Sequence, residues 1–166
     1  VQSLKDSTDL HHLVQAIVPR GKLLRAWPLS GGISARMTAL EIELPSGETR
    51  KLILRQPGAA TLQHNPRASE DEFRLLQITR SLGLASPAPV YFDPSGQIFP
   101  TPYLVIEYIE GQADFAPWDR IAYVRQAADH LAQIHRANPL NLDLSFLPPH
   151  PQGIAETVIQ RPAHTN

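Results

Sequence analysis

The sequence predicts an α+β fold: a five-stranded antiparallel sheet with one helix packed on it, followed by a helical segment that opens a second unit. Three observations predict it. Apolar stretches at residues 23–27 and 37–44 flank Ser30-Gly31-Gly32-Ile33-Ser34, so they form a glycine-tipped hairpin. Further strand-like runs at 49–55, 87–92 and 103–109 are separated by turn residues, Pro45-Ser46-Gly47-Glu48 and Asp93-Pro94-Ser95-Gly96 among them. Between the third and fourth runs, positions 68, 72, 75, 76, 79 and 82 fall on one helical face, and Gly83 follows as a stop.

Ahead of the hairpin, Thr8 caps a short amphipathic helix with Leu10, Leu13, Val14, Ile17 and Val18 on one side, ended by Pro19-Arg20-Gly21. After Gly111 the pattern changes. Ile121, Val124, Ala128, Leu131 and His135 recur at heptad-like spacing, and Asn138-Pro139 terminates that helix. The boundary is expected near residues 112–118, giving a first unit over 1–111 and a second over 112–166. The last dozen residues show no sustained period and are expected to be loop or frayed helix.

Composition narrows the function classes. The chain of 166 residues carries 15 Lys+Arg against 16 Asp+Glu, so no basic footprint points to nucleic acid or to an anionic membrane. Cysteine is absent, which removes disulfides, thiolate zinc sites and cysteine nucleophiles together and fits a reducing, cytoplasmic setting. No apolar run approaches the roughly 20 residues that cross a bilayer, and the start lacks a secretory pattern, so a soluble protein is expected. Because residue 1 is Val, a trimmed chain is also expected.

The residues able to carry chemistry occur in a set order. Gly31 and Gly32 let backbone amides approach phosphate oxygens, and Ser34 adds a hydroxyl donor, although an isolated Ser-Gly-Gly serves equally as a plain hairpin tip. Arg55 ends an apolar strand, from which its guanidinium can reach phosphates and pair with Glu72 on the following helix. Alone it reads as a strand-end cation in solvent. Glu72 favours the pair, because an unpartnered carboxylate on an apolar face costs several kcal/mol. Glu70 and Asp71 read as solvated helix-start charges. The strand at 103–109 can offer Ile106 as the back of a base pocket, with the Glu107 carbonyl and the Ile109 amide at its rim. Histidines 11, 12, 130 and 135 lack the i, i+4 spacing of a helical metal pair, so zinc is not expected.

These residues resemble the aminoglycoside phosphotransferase family, which includes choline kinase-like enzymes and has a protein-kinase-like fold. The resemblance covers about residues 27–139. It rests on Leu29-Ser30-Gly31-Gly32-Ile33-Ser34, Ile53-Leu54-Arg55-Gln56-Pro57, Glu72-Phe73-Arg74-Leu75-Leu76, Pro87-Ala88-Pro89-Val90, residues 103–111 and Leu131-Ala132-Gln133-Ile134-His135. It implies a small lobe in which Ser30, Gly31, Gly32, Ile33 and Ser34 hold phosphate, Arg55 takes the usual lysine position, Glu72 partners it, and Ile106, Glu107 and Ile109 frame the adenine. It implies ATP or GTP as phosphoryl donor, magnesium, and a small-molecule alcohol as acceptor.

The family also uses a catalytic aspartate, an asparagine and a second aspartate that bind magnesium, none of which appears here in matching context. Asp143 lacks the preceding His-Gly and the following asparagine. The expectation is therefore the amino-terminal part of a phosphotransferase, with the first helices of an incomplete large lobe and no turnover of its own. A complete, non-catalytic nucleotide-binding module is the alternative, and a β-rich interaction domain a third reading. Apolar residues on the 121–135 helix are expected to be exposed and to promote self-association.

Overall fold

The structure, a computed structural model, describes residues 2–30, 34–111, 116–138 and 141–147. Helix α1 (Gln2–Ile17) starts well before Thr8, the cap expected from the sequence. No Gly or Pro interrupts those residues, so a helix held by Leu13 and Val14 propagates backwards at little cost per residue. It ends in a tight turn in which Gly21 N donates to the Val18 carbonyl at 2.8 Å. A Cβ on Gly21 would lie 3.0 Å from that oxygen, so glycine is needed there.

Strands β1 (Lys22–Leu29), β2 (Ala35–Glu43) and β3 (Thr49–Pro57) form an antiparallel meander. Gly47, at φ 88°, makes the β2–β3 turn. Then come α2 (Ala59–His64), α3 (Ala68–Ser81), β4 (Pro89–Asp93), β5 (Tyr103–Glu107) and α4 (Arg120–Arg136). The sheet order is β1-β2-β3-β5-β4, with every neighbouring pair antiparallel. Strand β5 takes the inner position because Tyr103, Leu104, Val105 and Ile106 are all buried and need cover on both faces.

Register divides the sheet into two faces. Leu40, Leu52, Leu54, Val105 and Tyr103 pack with Leu13 and Val14 of α1 into the main core. On the other face Met37, Arg55 and Leu104 lie side by side, as do Ala39, Ile53 and Ile106 in the next row. Phe73 of α3 stacks on Phe92 of β4 at 5.8 Å, which places α3 beside this second face.

Several expectations need correction. The six-residue α2 follows Gly58, where only the end of a strand was expected. Strand β5 stops at Glu107 rather than 109, because the chain leaves the ladder at Tyr108, whose amide reaches the Lys51 carbonyl at 3.4 Å. The inner side of α3 is wider than the expected stripe: Ala68, Glu72, Leu76, Thr79 and Leu82 are half-buried, Leu75 is at the margin, and Ser69 is buried as well, its hydroxyl donating to the Pro102 carbonyl at 3.0 Å. Ser69 and Phe73 extend the packed side by about one residue, and Glu72 lies within it, half-buried. Helix α4 matches its expected span, with Asp119 Oδ1 accepting from Ala122 N at 2.9 Å as its cap. Its Ile121, Tyr123, Val124, Leu131 and Ile134 are exposed, as is Trp118 before it.

Candidate nucleotide site

Arg55 sits near the end of β3 between Met37 and Leu104, held there by a ladder that runs without interruption from Thr49 to Pro57. Strand alternation aims it away from the α1 core, toward α3. Its Nε donates to Glu72 Oε2 at 2.8 Å, and Nη1 lies 3.7 Å from Met37 Sδ. The side chains are 25% and 36% exposed, so the pair is shielded on one side and open to solvent on the other. The structure thus brings together the cation and carboxylate that the sequence paired.

Of the expected phosphate loop, Ser30 closes β1 and Ser34 leads into β2, whereas Gly31, Gly32 and Ile33 lie outside the described residues. Ser34 is exposed, and its carbonyl accepts two hydrogen bonds, from Gly58 N at 2.8 Å and from Thr61 Oγ1 at 3.0 Å. Two residues further on, Arg36 Nε and Nη2 both donate to Gln56 Oε1, at 3.1 and 2.9 Å. The sequence reading missed Thr61, Gly58 and this Arg36–Gln56 tie. A backbone carbonyl as the common acceptor leaves no residue signature.

Ile106 is buried two residues along the same face as Leu104, beside Ile53 and Ala39. The rows of Ile106 and Arg55 are therefore about 7 Å apart along the strands. Glu107 ends β5 and is held twice by one residue: its amide donates to the Ala88 carbonyl at 2.9 Å, and its Oε2 accepts from Ala88 N at 3.0 Å. Between Pro87 and Pro89, Ala88 supplies the one backbone donor of that run, which is the signal that could have exposed the tie. Ile109 is exposed. Lys51 bridges to Glu110 just past it, and the Trp27 and Tyr108 rings lie 6.3 Å apart beside the same strand end.

Asp71 and Glu70 are not simply solvated. Glu70 pairs with Arg67 at 3.1 Å, and the Arg67 hydrogen bond is the main reason its carboxyl lies below the usual range. Asp71 Oδ2 accepts from Asn65 Nδ2 at 2.8 Å, fastening α3 to the turn that follows α2. Asp143, unassigned on sequence grounds, forms an ion pair with Arg74 of α3 at 2.9 Å and accepts from the Ser145 hydroxyl and amide. Those Ser145 hydrogen bonds, more than Arg74, keep its carboxyl low. Among the described residues no group of three His, Asp or Glu side chains is placed to hold a metal ion, and no helix is long and apolar enough to cross a membrane.

A five-stranded antiparallel sheet, with a helix bridged to its third strand by an Arg–Glu pair, defines the small lobe of a kinase-like fold. The phosphotransferase enzyme family matches residues 27–162, and the chain belongs to that family. A solved structure, a candidate aminoglycoside phosphotransferase of Ralstonia eutropha JMP134, is similar with a TM-score of 0.64 at 14% identity. The match covers 87% of this chain and 43% of that one, so this chain spans less than half the length of that protein. At such identity the likeness establishes the fold alone. No curated protein matches the chain.

Proposed function

We propose that this chain is the nucleotide-holding, amino-terminal part of a phosphotransferase that moves the terminal phosphoryl group of ATP or GTP to the hydroxyl of a small molecule. The Arg55–Glu72 bridge carries the reading. It fixes a guanidinium near the end of the central strand, about 7 Å from an apolar row of Ala39, Ile53 and Ile106 that suits a base. In this reading Ser30, Gly31, Gly32, Ile33 and Ser34 close over the phosphates. The Glu107 carbonyl and Ile109 amide meet the purine edge.

In the transfer, the alcohol oxygen bonds to the γ-phosphorus as the bond to the β–γ bridging oxygen breaks. The nucleoside diphosphate leaves, and the hydroxyl proton passes to a carboxylate base. No Asp or Asn of this sequence stands in the family's context for that base or for magnesium, so in this reading these 166 residues bind nucleotide without turning it over. Small-molecule substrates, no nucleic acid or membrane partner, a cytoplasmic setting and association through the exposed face of α4 belong to the same proposal.

Isothermal titration of the 166-residue chain with ATP and GTP, with and without magnesium, tests it. Saturable binding that weakens in Arg55→Met is expected. Heat no greater than a buffer titration, for both nucleotides, would refute the nucleotide reading. Magnesium-dependent product from this chain, above a buffer control, would refute the absence of turnover.

A further inference from the structure

We propose that Thr61 and Gly58 form a latch that holds the exit of the phosphate loop in register with Arg55, and that triphosphate affinity depends on it. The inference rests on the nucleotide reading above. Ser34 is the last residue assigned to the loop, and its carbonyl receives Gly58 N at 2.8 Å and Thr61 Oγ1 at 3.0 Å. Both donors follow Arg55 on the same run of chain, Gly58 three residues later and Thr61 within α2. The two elements assigned to grip the phosphates are thereby tied to each other at one oxygen atom.

Gly58 fits this task by lacking a side chain. A Cβ there would stand 3.2 Å from the Ser34 carbonyl oxygen, closer than an ordinary contact, so any larger residue pushes the loop exit outward. The β2–β3 ladder ends alongside, at the Ala35–Pro57 pair, and the Arg36–Gln56 tie stiffens the step before it. Beyond that pair the latch continues the connection between the strands. Thr61 is not among the residues that form the α1 core.

A positioning role differs measurably from a purely structural one. Thr61→Val keeps the shape and removes the donor, and Thr61→Ser restores it. ATP and adenosine are titrated calorimetrically into the full chain and each variant. Thr61→Val is expected to weaken ATP about fivefold, the worth of one hydrogen bond, while adenosine affinity stays within about twofold and Thr61→Ser returns ATP affinity to its starting value. Gly58→Ala, reaching the same oxygen from the backbone side, is expected to weaken ATP in the same selective way and serves as the second probe if Thr61→Val folds poorly. Unchanged ATP affinity in the variants, or equal losses for ATP and adenosine, overturns the latch. A wild-type chain that binds adenosine and ATP equally well also overturns it, whereas one that binds neither refutes the nucleotide reading and the latch with it.

Discussion

Arg55 and Glu72 form a pair whose energetic coupling can be bounded from its geometry. The contact is a single Nε–Oε2 bond of 2.8 Å rather than a two-point fork, and the Glu72 side chain is 36% exposed. Two unit charges about 4 Å apart attract by about 4 kcal/mol in an effective dielectric of 20. Solvent screening and the cost of ordering two side chains reduce exposed pairs to below about 1 kcal/mol. A half-shielded pair falls near the top of that range, so the coupling in a cycle of Arg55→Met, Glu72→Gln and the double variant should be about 1 kcal/mol. For a chain of this size that is a Tm difference of about 2–4 °C by calorimetry. Nucleotide affinity separates the roles further. Arg55→Met removes a charge-assisted contact to phosphate, worth about 1.5–3 kcal/mol, and should weaken ATP roughly 10- to 150-fold. Glu72→Gln leaves the guanidinium in place but less fixed, so its loss should be several-fold smaller. Glu72→Gln and Arg55→Met that leave ATP binding untouched, while the thermal coupling is present, would refute the assignment of this pair to phosphate and leave it a structural bridge.

Tyr103 donates to Asp93 Oδ2 at 2.9 Å, with both residues buried. Burial pushes the Asp93 carboxyl up, but hydrogen bonds from Ser95 and Tyr103 outweigh it and hold the group below its ordinary value. A depressed carboxyl stabilises the fold above about pH 4 and loses that contribution as pH falls through the folded value. Tyr103→Phe should therefore cost about 1.5–3 kcal/mol at neutral pH and move the acid limb of a pH–Tm curve to higher pH; a superimposable curve would count against the pair. Leu54→Ala, at a fully buried position on the α1 side, should destabilise by about 2–5 kcal/mol in urea unfolding, and a loss under 1 kcal/mol would mean that the core is not closed there. Ile121→Glu with Val124→Glu, at side chains 69% and 62% exposed, should abolish concentration-dependent association in light scattering while changing stability by less than about 0.5 kcal/mol; a wild-type monomer at high concentration would refute association through α4.

Local signals made most of the sheet readable. Strands β2 and β3 announce themselves through alternating apolar residues, Leu40, Ile42 and Leu44 in one and Leu52 and Leu54 in the other, and through the Ser46-Gly47 turn, and Arg55 stands out as a cation closing an apolar strand. The order β3-β5-β4 follows from no spacing in the chain, since it depends on which strand needs cover on both faces. Helix α2 went unread because six residues hold too few turns to show a period. The full width of α3's packed side is not legible for a related reason: residues 68, 72, 76 and 79 and the set led by Ser69 and Phe73 are neighbouring stripes, and the polar Ser69 gives no apolar signal. Anchors from elsewhere, the Pro102 carbonyl and the Phe92 ring, add the second stripe to the first. The contacts around Ser34 converge on a backbone carbonyl, which every residue has, and so leave no mark in residue types.

An arginine at position 55 makes physical sense in these surroundings. A lysine offers one nitrogen, which must be shared between the helix carboxylate and a phosphate. The guanidinium divides the tasks: Nε is committed to Glu72, while Nη1 has only the weak acceptor Met37 Sδ at 3.7 Å among the described residues. The carboxylate therefore orients the plane of the fork without consuming its outer edge, the edge that matches phosphate oxygens two at a time. Met37 on one side and Leu104 on the other keep that plane from swinging along the sheet, since both sit directly opposite Arg55 in register. The helix carboxylate, the two flanking strands and the backbone connection through Gly58 to Ser34 all act on the same few residues at the end of β3. The stiffness of this strand end, more than the identity of any one side chain, is what would let it hold a triphosphate in a fixed place.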